Sequence, residues 1–252
     1  MMHNFAGWAM TDRQRAQTEQ AYVLHSYPYR ETSLLLETFT QPYGRITMVA
    51  RGARRPRSAL RGVLLSFQPL SLGWFGKGEV RTLSRAEWHG GHPLLQGEAL
   101  LCGFYLNELL LRLLPREDPH EVLFDHYRQA LMALARSDAS AVVLRGFEKA
   151  LLSELGYAMT LDRDGDTGNS LDPAATYTYD PERGPVRILT DGSEVSAEPL
   201  LQGKVLLDIA RDDYRDPLTL VQAKALMRVL INHRLDDQPL RSRRIFRELL
   251  AL

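Results

Sequence analysis

Cysteine is almost missing from this chain, which has a single one, Cys102, among 252 residues. One cysteine excludes an intramolecular disulfide and any metal site built from several thiolates. The surrounding ALLCGFYL is apolar and carries none of the basic or histidine neighbours that activate a thiol. We therefore interpret Cys102 as a small buried side chain, and we predict no cofactor.

Long apolar runs are missing as well. No segment approaches the ~18 apolar residues that would span a membrane. The first 19 residues lack the apolar centre of a signal peptide. We interpret residues 1–19 as a flexible tail and the protein as cytoplasmic.

Short catalytic and metal-binding motifs are also not found. The sequence contains no glycine-rich phosphate loop, nucleophile elbow or kinase signature. DRDGDTGNSLD resembles a calcium loop, but Thr167 and Pro173 occupy the positions that need glycine and a bidentate glutamate. The seven histidines are scattered without a third nearby ligand. These absences favour a binding protein over an enzyme.

Charge is balanced overall but divided unevenly along the chain. Residues 1–85 carry 12 Lys and Arg against 5 Asp and Glu, whereas residues 86–252 carry 19 against 26. Such a division indicates a module that binds polyanions joined to an acidic module, although two solvated faces with a chance imbalance would give the same counts.

The strongest single feature is RGARRPRSALRG, residues 51–62, which has five arginines and no acid. It lies between two predicted strands, so we interpret it as a loop. Guanidiniums this close repel one another, and nucleic-acid phosphates would neutralise them through forked hydrogen bonds. A solvated loop with scattered ion pairs is the alternative. The predicted DNA-binding residues are Tyr43, Arg45, Arg51, Arg54, Arg55, Arg57, Arg61 and Arg81.

Aromatic side chains accompany these arginines. Proteins that bind single strands combine a basic groove with aromatic rings on which bases stack. The rings in or beside the predicted strands are those of Tyr27, Tyr29, Tyr43, Phe67, Trp74 and Phe75. Tyr29 and Tyr43 are favoured because they adjoin turns, and any of the six could instead belong to the core.

The hydrophobic pattern predicts an α+β chain with two modules. Five short strand-like segments between residues 20 and 89 predict a small β-barrel of the OB type, which commonly binds nucleic acids. RITMVARG alternates, with Ile46, Met48 and Ala50 on one face. Residues 93–252 then read as mainly helical, with a polar, hairpin-containing insert at about 160–195.

Prolines and polar residues predict where these helices begin. Asp118 and Pro119 are expected to start one helix, and Asp138 or Ser140 the next. Later helices are expected at about 196–211, 217–235 and 239–251. Arg241, Arg243 and Arg244 fall near the start of the last helix, where the helix dipole disfavours cations, so they need an acidic or phosphate partner.

Several segments, in order, resemble the bacterial recombination-mediator family RecO. The N-terminal part carries AYVLHSYPYRETSLLLETFT, YGRITMVARGARRPRSALRGVLLSFQPLSL and GKGEVRTLSRAEW. The later part carries YLNELLLRLL, LRGFEKALLSELGY and PLRSRRIFRELL. The resemblance spans about residues 20–250.

The resemblance implies an N-terminal OB-fold and a helical domain, in a DNA repair and recombination protein that acts at the bacterial nucleoid and is not an enzyme. It implies binding to single- and double-stranded DNA, strand annealing, and partners that include RecA, RecR and the C-terminal tail of single-strand-binding protein. It implies Arg145 as a tail-binding residue beside an apolar groove. Many relatives hold zinc with four cysteines in the insert, whereas this region has none, so the chain resembles the zinc-free branch.

Two functions from different classes follow. The first is a DNA-binding mediator that anneals complementary strands and helps load the recombinase onto DNA covered by single-strand-binding protein. The second is a protein–protein adaptor, in which the helical domain is the active part and the basic loop does not bind DNA.

Overall fold

The computed structural model describes residues 18–91, 93–157, 159–188, 199–235 and 238–250. The chain divides into two compact units. Unit 1 runs to Gly91 and also contains Arg116–Pro119, and unit 2 contains the remainder. The sequence pattern assigns residues 116–119 to the helical domain, which it places at 93–252. Most of the predicted tail lies outside the described residues, and Glu19 already belongs to the first strand.

Unit 1 is a closed five-stranded barrel, which confirms the predicted fold class for this part of the chain. Its strands are β1 (Glu19–Tyr29), β2 (Ser33–Thr40), β3 (Gly44–Ala50), β4 (Leu70–Phe75) and β5 (Val80–Trp88), with a one-turn helix α1 (Leu60–Val63) between β3 and β4. The order around the barrel is β1-β2-β3-β5-β4. Only the β3–β5 pair is parallel among the pairs of these strands.

The barrel core follows from the alternation in β3. Ile46, Met48 and Ala50 all lie inside, as predicted, and pack with apolar residues of the other strands. Each fully buried side chain of this size contributes roughly 1.5–3 kcal/mol relative to exposure. The inward residues also include Leu36 and Leu72, both fully buried.

The segment Arg116–Pro119 approaches the β2–β3 turn closely. Gly44, the first residue of β3 after that turn, has φ +65°, and a Cβ there would lie 1.9 Å from the carbonyl oxygen of Asp118. Glycine is therefore required both by the backbone conformation and by the close contact. The backbone N–H of Glu117 donates to the carbonyl of Arg45 at 2.9 Å, which fixes the segment on β3.

Unit 2 is mainly helical, as predicted. Its described helices are α2 (Gly97–Leu113), α3 (Glu121–Ala135), α4 (Ser140–Glu154), α5 (Gly203–Ala210), α6 (Pro217–Arg234) and α7 (Arg241–Leu250). Its strands are β6 (Thr176–Asp180), β7 (Gly184–Arg187) and β8 (Leu201–Gln202), in the order β7-β6-β8. The central helix is α2, which packs against α3, α4 and α7.

The predicted hairpin in the insert is confirmed as β6–β7. Asp180 ends β6, and its Oδ1 accepts hydrogen bonds from the backbone N–H groups of Glu182 (2.8 Å) and Arg183 (3.1 Å). These bonds satisfy two N–H groups of the turn. An aspartate that accepts from the next residues of its own turn explains why DPERG is a strong turn sequence.

One predicted helix start is wrong, because α3 begins after His120 rather than at Asp118 and Pro119. Asp118 and Pro119 lie in the segment that belongs to unit 1. The helix α4 begins at Ser140, one of the two predicted positions, although Ala139 is its N-cap and no side-chain cap is made. The start at Pro217 is confirmed, since Asp216 Oδ1 accepts from the N–H of Leu218 at 2.9 Å.

In the described part of the chain, none of the helices combines the length and apolar character needed to cross a membrane.

Candidate nucleic-acid interface

The arginine-rich segment is not a hairpin loop but a crossover connection. Residues 51–69, which we call the arginine connection, join β3 to β4, and these two strands are not neighbours in the barrel. Ala53 is fully buried, and Leu60, Val63 and Leu64 of the same connection pack on the core. The connection is therefore anchored by apolar residues while its charged side chains point outward.

All five predicted arginines of the connection are exposed. They are Arg51, Arg54, Arg55, Arg57 and Arg61. Within the described residues, no carboxylate lies at ion-pair distance from any of them. An anchored backbone that presents five uncompensated guanidiniums creates a region of positive potential suited to an anion.

Arg54 ties the connection to the β1–β2 turn. Its backbone N–H donates to the carbonyl of Thr32 at 2.8 Å. Its Nη1 also lies 3.3 Å from the carbonyl oxygen of Arg30 and 3.4 Å from that of Glu31. These contacts bring Arg30, which is exposed and was not among the predicted residues, next to the connection. The sequence alone does not show that Arg30 lies next to the connection, because Arg30 and Arg54 are 24 residues apart.

Arg45 has a different environment from the connection. It lies mostly buried on the barrel wall, 3.7 Å from Glu37 Oε2, and Glu37 Oε1 also accepts from Arg116 (3.2 Å) and from the hydroxyl of Thr47 (3.1 Å). Burial lowers the pKa of the Arg45 guanidinium, and the charge of Glu37 acts in the opposite direction. We call these four residues the Glu37 cluster.

Arg81 is likewise paired. Its Nη2 donates to Glu117 Oε1 at 3.0 Å and its Nη1 to the carbonyl of Gly76 at 2.6 Å. Arg45 and Arg81 therefore already have partners in unit 1, and a phosphate would have to compete with a carboxylate for each.

Tyr43 lies in the β2–β3 turn, at the opposite end of the hairpin from the arginine connection. The register pairs Leu34 with Ala50 at one end and Thr40 with Gly44 at the other, which separates the two ends by about 20 Å at ~3.4 Å per residue. The Tyr43 ring is 44% exposed and packs edge to face on buried Trp74, with the ring centroids 5.4 Å apart. The predicted residues thus do not form one continuous patch.

Arg145, the residue that the resemblance implies for partner binding, is buried in unit 2. It is 7% exposed on α4, and its Nη2 donates to Glu148 Oε1 at 2.7 Å. Tyr105 also donates to Glu148, which is almost fully buried. Burial raises the pKa of Glu148, with Arg145 acting in the opposite direction. Arg145 is therefore buried and paired, and its role in partner binding stays a prediction.

The start of α7 makes hydrogen bonds with other residues of unit 2. Glu108 accepts from the backbone N–H groups of Arg241 and Ser242, both at 2.8 Å, and so compensates the positive end of the helix. Arg243 donates to Asn232 at 2.9 Å and to the Tyr105 hydroxyl at 3.2 Å. Glu108 thus serves the backbone of the helix end, 133 residues away in the sequence, and the acidic or phosphate partner expected for these arginine side chains stays a prediction.

The acidic insert loop is organised by one aspartate. Asp164 Oδ1 accepts from the backbone N–H of Asp166 (3.1 Å) and from the N–H (2.8 Å) and hydroxyl (3.0 Å) of Thr167. The hydrogen bond from the Thr167 backbone is the main cause of the lowered pKa of Asp164. Arg183 pairs with Asp166 at 3.0 Å and links this loop to the hairpin. Hydrogen bonds and an ion pair thus hold the insert.

Cys102 is buried in α2, and burial raises the pKa of its thiol to about 11. Among the described residues, no three His, Cys, Asp or Glu side chains converge in a way that would hold a metal ion.

Comparison with known proteins identifies relatives along nearly the whole chain. A family model described as Recombination protein O N terminal matches residues 15–92, and one described as Recombination protein O C terminal matches residues 94–244. The DNA repair protein RecO of Aromatoleum aromaticum is 53% identical over 243 residues, which cover 96% of this chain and 100% of that protein. Proteins of the same name from Dechloromonas aromatica (54% over 247 residues) and Nitrosospira multiformis (52% over 241 residues) each match 96% of this chain and at least 99% of their own length.

Proposed function

This chain belongs to the RecO family of DNA repair proteins, and on that basis we propose that it binds single- and double-stranded DNA through the arginine connection. In this proposal it anneals complementary strands and helps load a recombinase of the RecA type onto DNA covered by single-strand-binding protein. It acts by binding rather than by catalysis, next to the DNA of the bacterial cytoplasm.

One observation carries the DNA-binding part of the proposal. Five exposed arginines stand on an anchored backbone, and among the described residues no carboxylate neutralises them. Phosphates would relieve their mutual repulsion, and each guanidinium can hold two phosphate oxygens at once. Arg45, Arg81 and Tyr43 remain proposed contacts, although the first two would have to exchange carboxylate partners for phosphate.

Annealing follows from the same charges. Two single strands repel each other through their phosphates, and a surface that neutralises several phosphates on each lowers that repulsion. The mediator step and the partners RecR and single-strand-binding protein rest on family membership. A contact of Arg145 with the tail of single-strand-binding protein requires the buried Arg145–Glu148 pair to open.

The salt dependence of binding tests the proposal. If about four to six phosphates are contacted on single-stranded DNA, log affinity falls against log salt with a slope of about −3 to −4. Replacing Arg54, Arg55 and Arg57 together by alanine flattens the slope by about 2, and slows the annealing of complementary oligonucleotides.

A matched control removes the same charge from unit 2. Arg128, Arg136 and Arg215 each pair with an aspartate near in sequence, at 2.9, 3.5 and 2.5 Å respectively. Their triple replacement by alanine leaves the slope unchanged. If the first triple variant also kept the slope of the original chain, the connection would not bind DNA and the adaptor hypothesis would replace the proposal.

A further inference from the structure

Two tyrosines of β1 precede the turn that the arginine connection contacts. Tyr27 and Tyr29 are two residues apart, so they lie on the same face of the strand, and β1 leads directly into the turn that Arg54 holds. The sequence placed both rings in or beside a strand but could not assign them to this end of the barrel. The contacts of Arg54 with residues 30–32 make the assignment.

The Tyr27 ring is exposed to solvent, and a neighbouring ring restrains its orientation. Its side chain is 46% exposed, and the ring of His25 packs against it with the centroids 4.3 Å apart and the planes at 64°. Across the sheet, Tyr27 is opposite Leu35, which is itself opposite Val49, and both are half-buried. A ring that is supported by neighbours and still open to solvent loses little freedom when a flat ligand stacks on it.

The Tyr29 ring is half-buried and has a cation beside it. The guanidinium carbon of Arg30 lies 5.3 Å from the centroid of Tyr29. Arg30 adopts a φ of 51°, which turns the chain sharply after β1. The turn also contains exposed Glu31, so the positive charge at this end comes mainly from the connection.

We propose that Tyr27 and Tyr29 form a stacking platform for the unpaired bases of single-stranded DNA, while the arginine connection holds the neighbouring phosphates. This inference rests on the proposed DNA binding and adds a source of specificity for unpaired bases. Stacking needs a free base face, which a duplex hides, whereas phosphates are available in both forms. We therefore expect the platform to favour a single strand over a duplex.

Other exposed aromatic residues of the barrel fit this role less well. Tyr43 lies at the far end of the β2–β3 hairpin and packs on Trp74. Phe75 ends β4 and lies opposite Thr82, which is opposite Val49. It therefore shares the row of Tyr27 across the sheet, but it is not on the strand that leads into the turn bound by Arg54. Tyr27 and Tyr29 are on that strand and reach solvent, whereas Tyr22 of the same strand is buried.

The experiment compares two oligonucleotides of equal length, a thymidine oligonucleotide and an abasic one that keeps the phosphates without bases. The original chain binds the thymidine oligonucleotide more tightly. Tyr27→Ala and Tyr29→Ala each reduce this preference by between about 5- and 150-fold, the range that corresponds to stacking of one base. Their affinity for the abasic oligonucleotide and the salt slope stay unchanged.

Conservative and control variants sharpen the result. Tyr27→Phe and Tyr29→Phe keep a ring and are expected to keep the preference. Trp88→Ala removes a ring that is 59% exposed. Trp88 is opposite Leu70, and Leu70 is opposite Ala21, which is level with Thr40 at the far end of the hairpin. Trp88→Ala is therefore expected to leave the preference intact, and an equal loss in this variant would overturn the assignment of the platform to β1.

The outcomes separate this inference from the proposed function. If the original chain binds both oligonucleotides equally but with the expected salt slope, DNA binding stands and the platform is refuted. If it prefers thymidine and the two alanine variants keep that preference, the platform is also refuted. If it binds neither oligonucleotide, the proposed function fails and the platform fails with it.

Discussion

The arginine connection and the Glu37 cluster belong to the same barrel, but their arginines differ in whether a carboxylate neutralises them. The connection, at the end of β3, presents five exposed guanidiniums, and the described residues offer them no carboxylate. The cluster, at the start of β3, holds Arg45 and Arg116 on buried Glu37, and Arg81 pairs with Glu117 nearby. One end of the strand is suited to bind an external anion, and the other is already neutralised.

The partner of an arginine, rather than its position in a basic stretch, therefore decides its role. Paired arginines at the Glu37 cluster fix Arg116–Pro119 on the barrel and so contribute to the fold. Unpaired arginines on the connection contribute positive potential, which serves binding. Replacing the carboxylates or the arginines at each end of β3 tests this distinction.

The largest effect is expected from Glu37→Gln. This change leaves the mostly buried Arg45 charge without its carboxylate and weakens the bond to Arg116. Breaking a buried pair at one partner should lower the free energy of unfolding of unit 1 by about 3 kcal/mol, as measured by urea denaturation.

An exposed pair in the same barrel provides the control. Arg85 and Glu87 lie 2.6 Å apart with side chains 62% and 50% exposed. Glu87→Gln is expected to change the free energy of unfolding by less than about 0.5 kcal/mol. Equal effects of the two substitutions would show that Glu37 is not a structural centre.

A second, smaller effect on stability is expected from Glu108→Ala in unit 2. Loss of the carboxylate leaves the first N–H groups of α7 without their acceptor, beside Arg241 and Arg243. We expect a loss of about 1–2 kcal/mol, seen as faster hydrogen exchange in α7. Glu98→Ala, in the first turn of α2, is the control and should affect only its own helix. Unchanged exchange in α7 would mean that Glu108 does not stabilise this helix.

Much of the fold could be predicted because it depends on local patterns. Alternation placed Ile46, Met48 and Ala50 in the core, and turn residues marked the five strands and the β6–β7 hairpin. The resemblance to RecO was also readable from short segments and is confirmed by matches along the chain. One helix start was missed where a tertiary contact prevailed, at Asp118, whose segment packs on the barrel.

The candidate site was only partly predictable for the same reason. Five arginines without an acid in one short stretch identify the connection from sequence alone. The partners of Arg45 and Arg81 lie 8 and 36 residues away, so only the fold reveals them. The partner of Arg145 is three residues along α4 and was visible in the sequence, but the burial of the pair was not.

The third prediction compares single arginines at the two ends. Arg55→Gln removes one proposed phosphate contact and is expected to flatten the salt slope for single-stranded DNA by about 0.7. Arg45→Gln is expected to flatten it by less than half as much, because Glu37 already satisfies part of this charge. Both slopes are measured below the unfolding temperature of the less stable variant. Equal flattening would mean that DNA also engages the Glu37 cluster.

The smallest effect is expected when a paired arginine is set free. Glu117→Gln removes the carboxylate 3.0 Å from Arg81, so that this guanidinium resembles those of the connection. The affinity for single-stranded DNA at low salt should rise, and the slope should steepen by at most about 0.7, the contribution of one added phosphate. Asp213→Asn frees Arg215 in unit 2 in the same way and serves as the control, with no expected change. If the slope steepened for Asp213→Asn but not for Glu117→Gln, an unpaired arginine in unit 2 would bind phosphate and Arg81 in the barrel would not. That result would place the DNA-binding surface on unit 2.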